Sequence, residues 1–324
     1  MARVALLSNP RSTGNRSLLP RVRSFCAEHQ DIFHYEVERV DQVGDALKTI
    51  ARVQPTVLVI NGGDGTVQAA LTEIFNGGYF GDNPPPVAVL PNGKTNLIAH
   101  DLGASGDPIL ALERVLEIAR SDLDTHIVRR ELIELSGGTA DGKPVLGMFL
   151  GGAGLADTML YCRHKIYPLG LPNGIAHFIA LMLGLFSAAG GKRISVGPMR
   201  SNPLRVSVLK QGEINGQFSV LLVTTLQRLL FGTQMSASST RLGAMQLVLI
   251  DRSILALLRA LTAGILGKLG RIRVSGVHLE RGDEIHIQGE QSNVILDGEL
   301  FSADPGQPIV LKPTSPVPFL RLAA

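Results

Sequence analysis

A chain of 324 residues has room for two domains of ordinary size, and an apolar share of 45% supplies cores for both. With no Trp, 5% aromatic residues and a net charge of only +3, it lacks the stacking platforms of a single-strand binder and the concentrated basic face of a duplex binder. Nucleic acid is therefore not expected as a partner; Arg129-Arg130 and Lys192-Arg193 are short surface clusters.

The first third alternates strand-like and helix-like segments. Residues 4–8 form an apolar strand that runs into Asn9-Pro10-Arg11-Ser12-Thr13-Gly14-Asn15, a turn of small polar residues. A helix over 17–29, a strand over 34–40 and an amphipathic helix over 43–53 follow. Next comes Thr56-Val57-Leu58-Val59-Ile60, five β-favouring residues, and directly after it Asn61-Gly62-Gly63-Asp64-Gly65-Thr66. The three glycines of this loop allow a sharp turn and a close approach to a ligand. A helix over 67–75 puts Thr66 near a helix N-terminus, where N–H groups and the dipole attract anions. Asp64 is the single charge in the loop. A carboxylate beside phosphates needs a bridging cation or a hydroxyl to act on, so the feature points to nucleotide phosphates with magnesium. A further strand over 87–90 completes a β-α-β-α order, which predicts a parallel, doubly wound sheet. The loops 9–15, 61–66 and 91–96 all follow strands and can converge on one site.

From about residue 124 the pattern changes to β-like runs (127–135, 145–150, 204–209, 218–224, 246–250, 284–288 and 294–296) separated by glycine-rich turns, which predicts a second, mostly antiparallel domain. The expected division is a nucleotide-binding domain over 1–123, a β-rich domain over 124–310, and a C-terminal segment 311–324 returning to the first domain. Two apolar segments interrupt the β pattern, at 174–189 and 253–269. Both are short for a membrane span. They read as buried core helices or, on the sharper alternative, as helices that line a lipid pocket or rest on a membrane. Arg252, Lys268, Arg271 and Arg273 beside the second would suit anionic headgroups.

Several chemistries are excluded. The eight histidines are scattered and no H-E-x-x-H or C-x-x-C spacing occurs, so no zinc site is expected. No G-x-S-x-G elbow is present. Cys26 and Cys162 lie far apart and suit a reduced, cytosolic chain. Residues 1–7 offer no signal-peptide core. Gly93-Lys94-Thr95 matches the end of a Walker A loop, but the preceding Val89-Leu90-Pro91 cannot supply its phosphate cradle, because Pro91 has no N–H. Lys94 can still meet phosphate as a point charge.

Four features in order along the chain resemble the diacylglycerol kinase catalytic-domain family, the lipid kinases that include sphingosine and ceramide kinases and bacterial diacylglycerol kinases. They are Asn9-Pro10 with Ser12 and Gly14; Gly62-Gly63-Asp64-Gly65-Thr66; Leu90-Pro91-Asn92-Gly93-Lys94-Thr95-Asn96, similar to the family's L-P-x-G-T-x-N; and Asp297-Gly298-Glu299. The glycine loop alone is shared with NAD kinases and phosphofructokinases; the late Asp-Gly-Glu separates the lipid kinases. Gly154-Leu155-Ala156-Asp157 also resembles the sphingosine-kinase segment whose Asp holds the lipid's polar head.

The resemblance implies an ATP-binding domain, a β-rich lipid domain and an active site in the cleft, with ATP and Mg2+ as cofactors. Gly62 through Thr66 and Asn96 are implied to contact the nucleotide, with Asn9, Ser12, Asn61, Gly93, Lys94 and Thr95 as further candidates. The Asp297–Glu299 turn is implied to face the acceptor hydroxyl. Asp64 would hold magnesium or orient the hydroxyl, Glu299 or Asp297 would take its proton, Glu299 being preferred, and Asp157 would meet the lipid. The departures are Leu97 where members often have Asp, Lys94 where they have Thr, and residues 241–245, which lack the Asp of a D-G-x-L segment that helps hold a structural magnesium. The expected function is phosphorylation of a membrane-lipid hydroxyl, of diacylglycerol or of a ceramide or sphingoid lipid. The rivals are an NAD kinase-like enzyme and a catalytically silent lipid-binding regulator of the same fold. The expected place is the cytoplasm, peripherally at the inner membrane face; a homodimer stays open.

Overall fold

A computed structural model describes residues 3–93, 96–137, 142–161, 202–226, 243–270, 272–289 and 292–323. Lys94, Thr95, Cys162, the apolar segment 174–189 and the residues at 241–242 lie outside the described residues. The chain divides into two units: one of residues 1–132, 145–147 and 314–324, the other of residues 133–144 and 148–313.

The first unit contains β1 (Val4–Ser8), α1 (Asn15–Glu28), β2 (Ile32–Glu36), α2 (Val43–Val53), β3 (Val57–Asn61), α3 (Asp64–Gly77), β4 (Val87–Val89), α4 (Leu97–Asp101), α5 (Pro108–Arg120) and β5 (Ile127–Arg130). Strands β1 and β3 are buried along their whole length, as central strands of a sheet covered on both faces must be. β1 pairs in parallel with β2 on one side and β3 on the other, and β3 pairs in parallel with β4. Helices α1 and α5 touch each other, as do α2 and α3, so the unit is doubly wound. Because β2 lies to one side of β1 and β3 to the other, the chain reverses direction there. The loops leaving β1 and β3 lie at this reversal, at the C-terminal strand ends where such sheets bind ligands. Local chemistry sets the helix ends. Asp107 caps α5 by accepting from the Ile109 N–H at 2.9 Å, with Pro108 as first helical residue.

The second unit holds β6 (Ile133–Ser136) but not the short strand β7 (Val145–Gly147), which belongs to the first unit and donates the Leu146 N–H to Thr72 Oγ1 at 3.0 Å. It continues with β8 (Phe149–Gly152), α6 (Gly154–Tyr161), β9 (Leu204–Val208), β10 (Gly212–Gly216), β11 (Phe218–Thr224), β12 (Met245–Asp251), α7 (Ile254–Ile265), β13 (Val277–Gly282), β14 (Ile285–Gly289), β15 (Ser292–Leu296), β16 (Glu299–Ala303) and β17 (Ile309–Pro313). One antiparallel sheet runs β10-β9-β14-β17-β6 and another β13-β12-β11-β8-β15-β16. β9 alternates between buried and solvent-facing residues, whereas β12 is buried on both faces. The last strand, β18 (Val317–Leu320), returns to the first unit's sheet, parallel to β4 and antiparallel to β5. The run 127–135, expected as one strand, is two: β5 and β6 belong to different units and sheets, with the break at Glu131-Leu132.

Candidate functional site

In the first unit, the loops after β1, β3 and β4 meet through a net of asparagines. The Asn9 side chain donates to Thr66 Oγ1 at 2.9 Å. Asn15 donates to the carbonyls of Asn9 at 2.8 Å and Asn61 at 3.0 Å. Asn61 donates to Ser8 Oγ at 3.0 Å, and Asn92 donates to the side chains of Asn61, at 2.8 Å, and Asn15. The Gly93 N–H donates to Asn96 Oδ1 at 2.6 Å. Asn9, Asn15, Asn61 and Asn92 are all buried. A buried amide is tolerated only when its donors and acceptors are satisfied, so the net fixes the three loops relative to one another.

The glycines serve close approach rather than left-handed turning. None of Gly62, Gly63 and Gly65 has a positive φ. A Cβ on Gly62 would come within 2.7 Å of the Thr66 side chain, and one on Gly93 within 3.0 Å of the Gly63 Cα. At Gly63 the situation is reversed: a Cβ there would meet nothing within 4 Å. Gly63 is the N-cap of α3, which starts at Asp64 and not, as expected, near Val67. The N–H groups of Asp64 and Gly65 lie in the first helical turn and have no intrahelical acceptor, while the Thr66 N–H turns back to the Gly63 carbonyl at 2.9 Å. Open space therefore adjoins a set of N–H groups at the positive end of a helix. Ser12 Oγ is buried and has no hydrogen-bond partner among the described residues. Both features suit an anionic ligand such as a nucleotide phosphate.

Asp64 stands at the mouth of this loop. Burial pushes its carboxyl up to about 6, and no neighbouring charge or hydrogen bond offsets that shift. Among the described residues no three acidic, histidine or cysteine side chains cluster as a metal-binding group. A lone carboxylate suits an ion that takes its other ligands from water and phosphate oxygens, which is the usual habit of magnesium. Farther back, His34 Nε2 lies 2.9 Å from Ser8 Oγ, and its pKa is lowered by burial despite the opposing pull of Glu36. Cys26 is a free thiol pushed up to about 11, first by burial and then by Glu36, so it is not a nucleophile at neutral pH.

In the second unit, Asp297 and Gly298 are the two turn residues of the β15–β16 hairpin, in which Leu296 pairs with Glu299. Both have positive φ, 45° and 94°, as an Asp-Gly turn of this length requires. The buried Asp297 carboxylate accepts from the Met148 N–H at 2.9 Å and the Phe149 N–H at 3.0 Å, while its own N–H donates to the Phe149 carbonyl. This carboxylate is engaged in holding the start of β8. Glu299, two residues on, is exposed. Asp157, in the first turn of α6, lines a small pocket with a cavity volume of about 30 Å³ that it shares with Leu204, Ile287, Ser292, Asn293 and Val294. Ser292 Oγ is buried without a partner among the described residues.

The structure thus brings Asn9, Ser12, Asn61, Gly62 through Thr66, Gly93 and Asn96 together in the first unit and puts Asp157, Asp297 and Glu299 on separate elements of the second. Sequence reasoning missed Ser8, Asn15, Asn92 and Ser292. For Asn92 the signal was available: Asn9, Asn61 and Asn92 recur where the apolar strands β1, β3 and β4 give way to loops. Gly14 fits the same pattern, since a Cβ there would overlap the Asn92 amide.

Residues 3–128 match the family model for the diacylglycerol kinase catalytic domain. Two Bacillus anthracis str. Sterne structures share the fold. One, described as a diacylglycerol kinase, is 13% identical with a TM-score of 0.61, covering 98% of this chain and 96% of that one. The other, assigned provisionally as a diacylglycerol kinase, is 16% identical with a TM-score of 0.63, covering 97% and 94%. The chain has no significant match among curated proteins.

Proposed function

We propose that this chain, whose residues 3–128 match the family model for the diacylglycerol kinase catalytic domain, is an ATP-dependent lipid kinase that phosphorylates a hydroxyl of a membrane lipid. The observation that carries the nucleotide half of this reading is the open space at Gly63 beside the N-terminus of α3. Backbone N–H groups from Gly63 to Gly65 bind phosphate oxygens there, and Ser12 Oγ, otherwise without a partner, donates to the same ligand. The asparagine net keeps these donors aimed before the nucleotide arrives, which removes reorganisation from the chemical step. Asp64 is the residue that would hold magnesium. When bound, that ion supplies neutralisation of the phosphate charge.

In the transfer, the acceptor oxygen forms a bond to the γ-phosphorus, the bond to the ADP oxygen breaks, and the hydroxyl proton goes to a carboxylate. Glu299 is the better base, because the Asp297 oxygens already accept two backbone N–H bonds. Asp157 and Ser292 line a pocket with room for one small polar group of the acceptor, such as a hydroxyl or an amine, which suits a ceramide or sphingoid base as well as diacylglycerol.

The test is labelled ATP against a panel of diacylglycerol, monoacylglycerol, sphingosine, ceramide and NAD, with and without magnesium. Magnesium-dependent label in a lipid is expected. Label in NAD alone would replace the reading with the dinucleotide one, and no label in any acceptor would favour a silent regulator. A second expectation isolates the phosphate loop. Gly63→Ala has an allowed backbone (φ −85°, ψ 174°) and room for its methyl, so its melting temperature should match the parent. The methyl takes up the space needed by the ligand, and ATP affinity should fall by about tenfold or more, read by calorimetric titration. Unchanged affinity would remove the loop from nucleotide binding.

A further inference from the structure

Helix α7 is packed the wrong way round for a helix that meets water. Its buried face is made chiefly of small residues: Ala256, Ala260 and Ala263 are 3–7% exposed, the first two pack on Val248 and Ile250 of β12, and Leu257 is the one large side chain that joins them there, half-buried. Its outer face carries the large ones. Leu255, Leu258 and Leu261 are 40–61% exposed, and Leu266 and Ile272 just beyond the helix are 65% and 51% exposed. An ordinary amphipathic helix buries leucine and shows water its polar residues. Half of the large apolar side chains that the described residues expose fall within this one stretch, and clustering of that kind marks an interaction surface.

Charge identifies the occupant. From Arg252 to Leu279 there is no Asp or Glu. Arg259, Lys268 and Arg273 are exposed beside the leucines, and Arg252 donates to the neutral Gln217 amide oxygen at 3.4 Å. Asp251, at the edge of the patch, lies 3.2 Å from His278. At 12 residues α7 is too short to cross a bilayer, and no helix among the described residues is long and apolar enough to do so. A second copy of the chain is a poor partner, since a two-fold contact would press the same cations together.

We propose that the outer face of α7 docks this unit on an anionic lipid bilayer, with Leu255, Leu258 and Leu261 entering the acyl boundary and Arg259, Lys268 and Arg273 meeting phosphate headgroups. The proposal goes beyond the kinase reading and does not depend on it, because docking needs no nucleotide.

The experiment is sedimentation of the full chain with vesicles of phosphatidylcholine alone or mixed with phosphatidylglycerol, in the absence of ATP. Binding to the mixed vesicles is expected, weakening as salt is raised. Leu255→Ser/Leu258→Ser/Leu261→Ser should lower that binding by at least about tenfold, since each leucine loses its transfer into the acyl region. Arg259→Glu/Lys268→Glu should abolish the preference for mixed over neutral vesicles, and it serves as the second variant if the first melts early. Turnover of a short-chain dispersed acceptor should be unchanged in both. A parent chain that ignores mixed vesicles, or a serine variant that binds them as well as the parent, overturns the proposal. So does a parent dimer that the serine variant splits with vesicle binding intact. Vesicle binding by a chain that phosphorylates no acceptor would retain the docking face and discard the kinase.

Discussion

Asp64→Asn should lower kcat for phosphoryl transfer by about a hundredfold or more while leaving the fold intact or firmer. The loss follows from the carboxylate's place at the first position of α3, beside the open space at Gly63. The gain in firmness follows from its burial. The folded carboxyl titrates near 6 against an ordinary value of 3.8, with desolvation as the cause. The folded state therefore binds this proton more tightly than the unfolded chain does. Its contribution to stability is complete below the unfolded value and is lost as pH rises through about 6. The loss is at most about 3 kcal/mol, the free-energy equivalent of the shift. Asparagine carries no charge to desolvate, so the variant should melt higher than the parent at pH 7, with the difference vanishing towards pH 4. Thermal melts of both proteins across that range, with turnover of the acceptor at pH 7, check the two halves together. Near-parental turnover would free Asp64 of its assigned role, and parallel melts would show that its carboxyl is not desolvated.

The legible part of this molecule is the part in which local pattern and tertiary environment agree. β1 and β3 are continuous apolar runs because they lie in the middle of a sheet covered on both sides, so composition and burial carry one message. The order of strands and helices in the first unit follows from the same pattern. The loop at 61–66 was found because a strand, three glycines and a helix stand in series. Its glycines are read from the sequence as allowing a sharp turn and a close approach to a ligand; in the fold none is left-handed, and the absence of a Cβ also matters inside the protein, at Gly62 beside Thr66 and at Gly93 beside Gly63. Packing of that kind joins residues far apart in the chain and leaves no local mark.

α7 shows the same limit in another form. Hydropathy counts alanine and leucine alike as apolar, so the stretch reads as a core helix or as one that lines a lipid pocket or rests on a membrane. The alanines at 256, 260 and 263 recur at helical spacing and form one face, and the leucines at 255, 258 and 261 form another. Which face turns inward depends on the room above β12, where Val248 and Ile250 accept a close helix with small side chains. Helix propensity predicts the element and is silent on its rotation.

Asp297 is where the sequence pattern and the structure separate most. In the motif it is a candidate base beside the preferred Glu299, but in the fold it is an anchor, and Asp297→Ala should cost about 3–5 kcal/mol of stability. Two buried N–H groups, of Met148 and Phe149, would lose their acceptor, and a β-carbon residue without a polar side chain would be left at a φ of 45°. The damage should spread to β8, whose first residues are also held by Thr224, with its Oγ1 donating to the Met148 carbonyl at 2.8 Å. Asp297→Asn keeps one good acceptor and a side chain that tolerates this backbone, so it should lose only about 1–2 kcal/mol. Glu299→Gln, on an exposed side chain, should leave the melting curve where it was and still depress turnover by about a hundredfold or more. Urea titrations and acceptor turnover on the three variants separate anchor from base. If Asp297→Asn folds as firmly as the parent and is inactive while Glu299→Gln works normally, the proton goes to Asp297, and the two backbone bonds must then be explained as a means of holding a base rather than a strand.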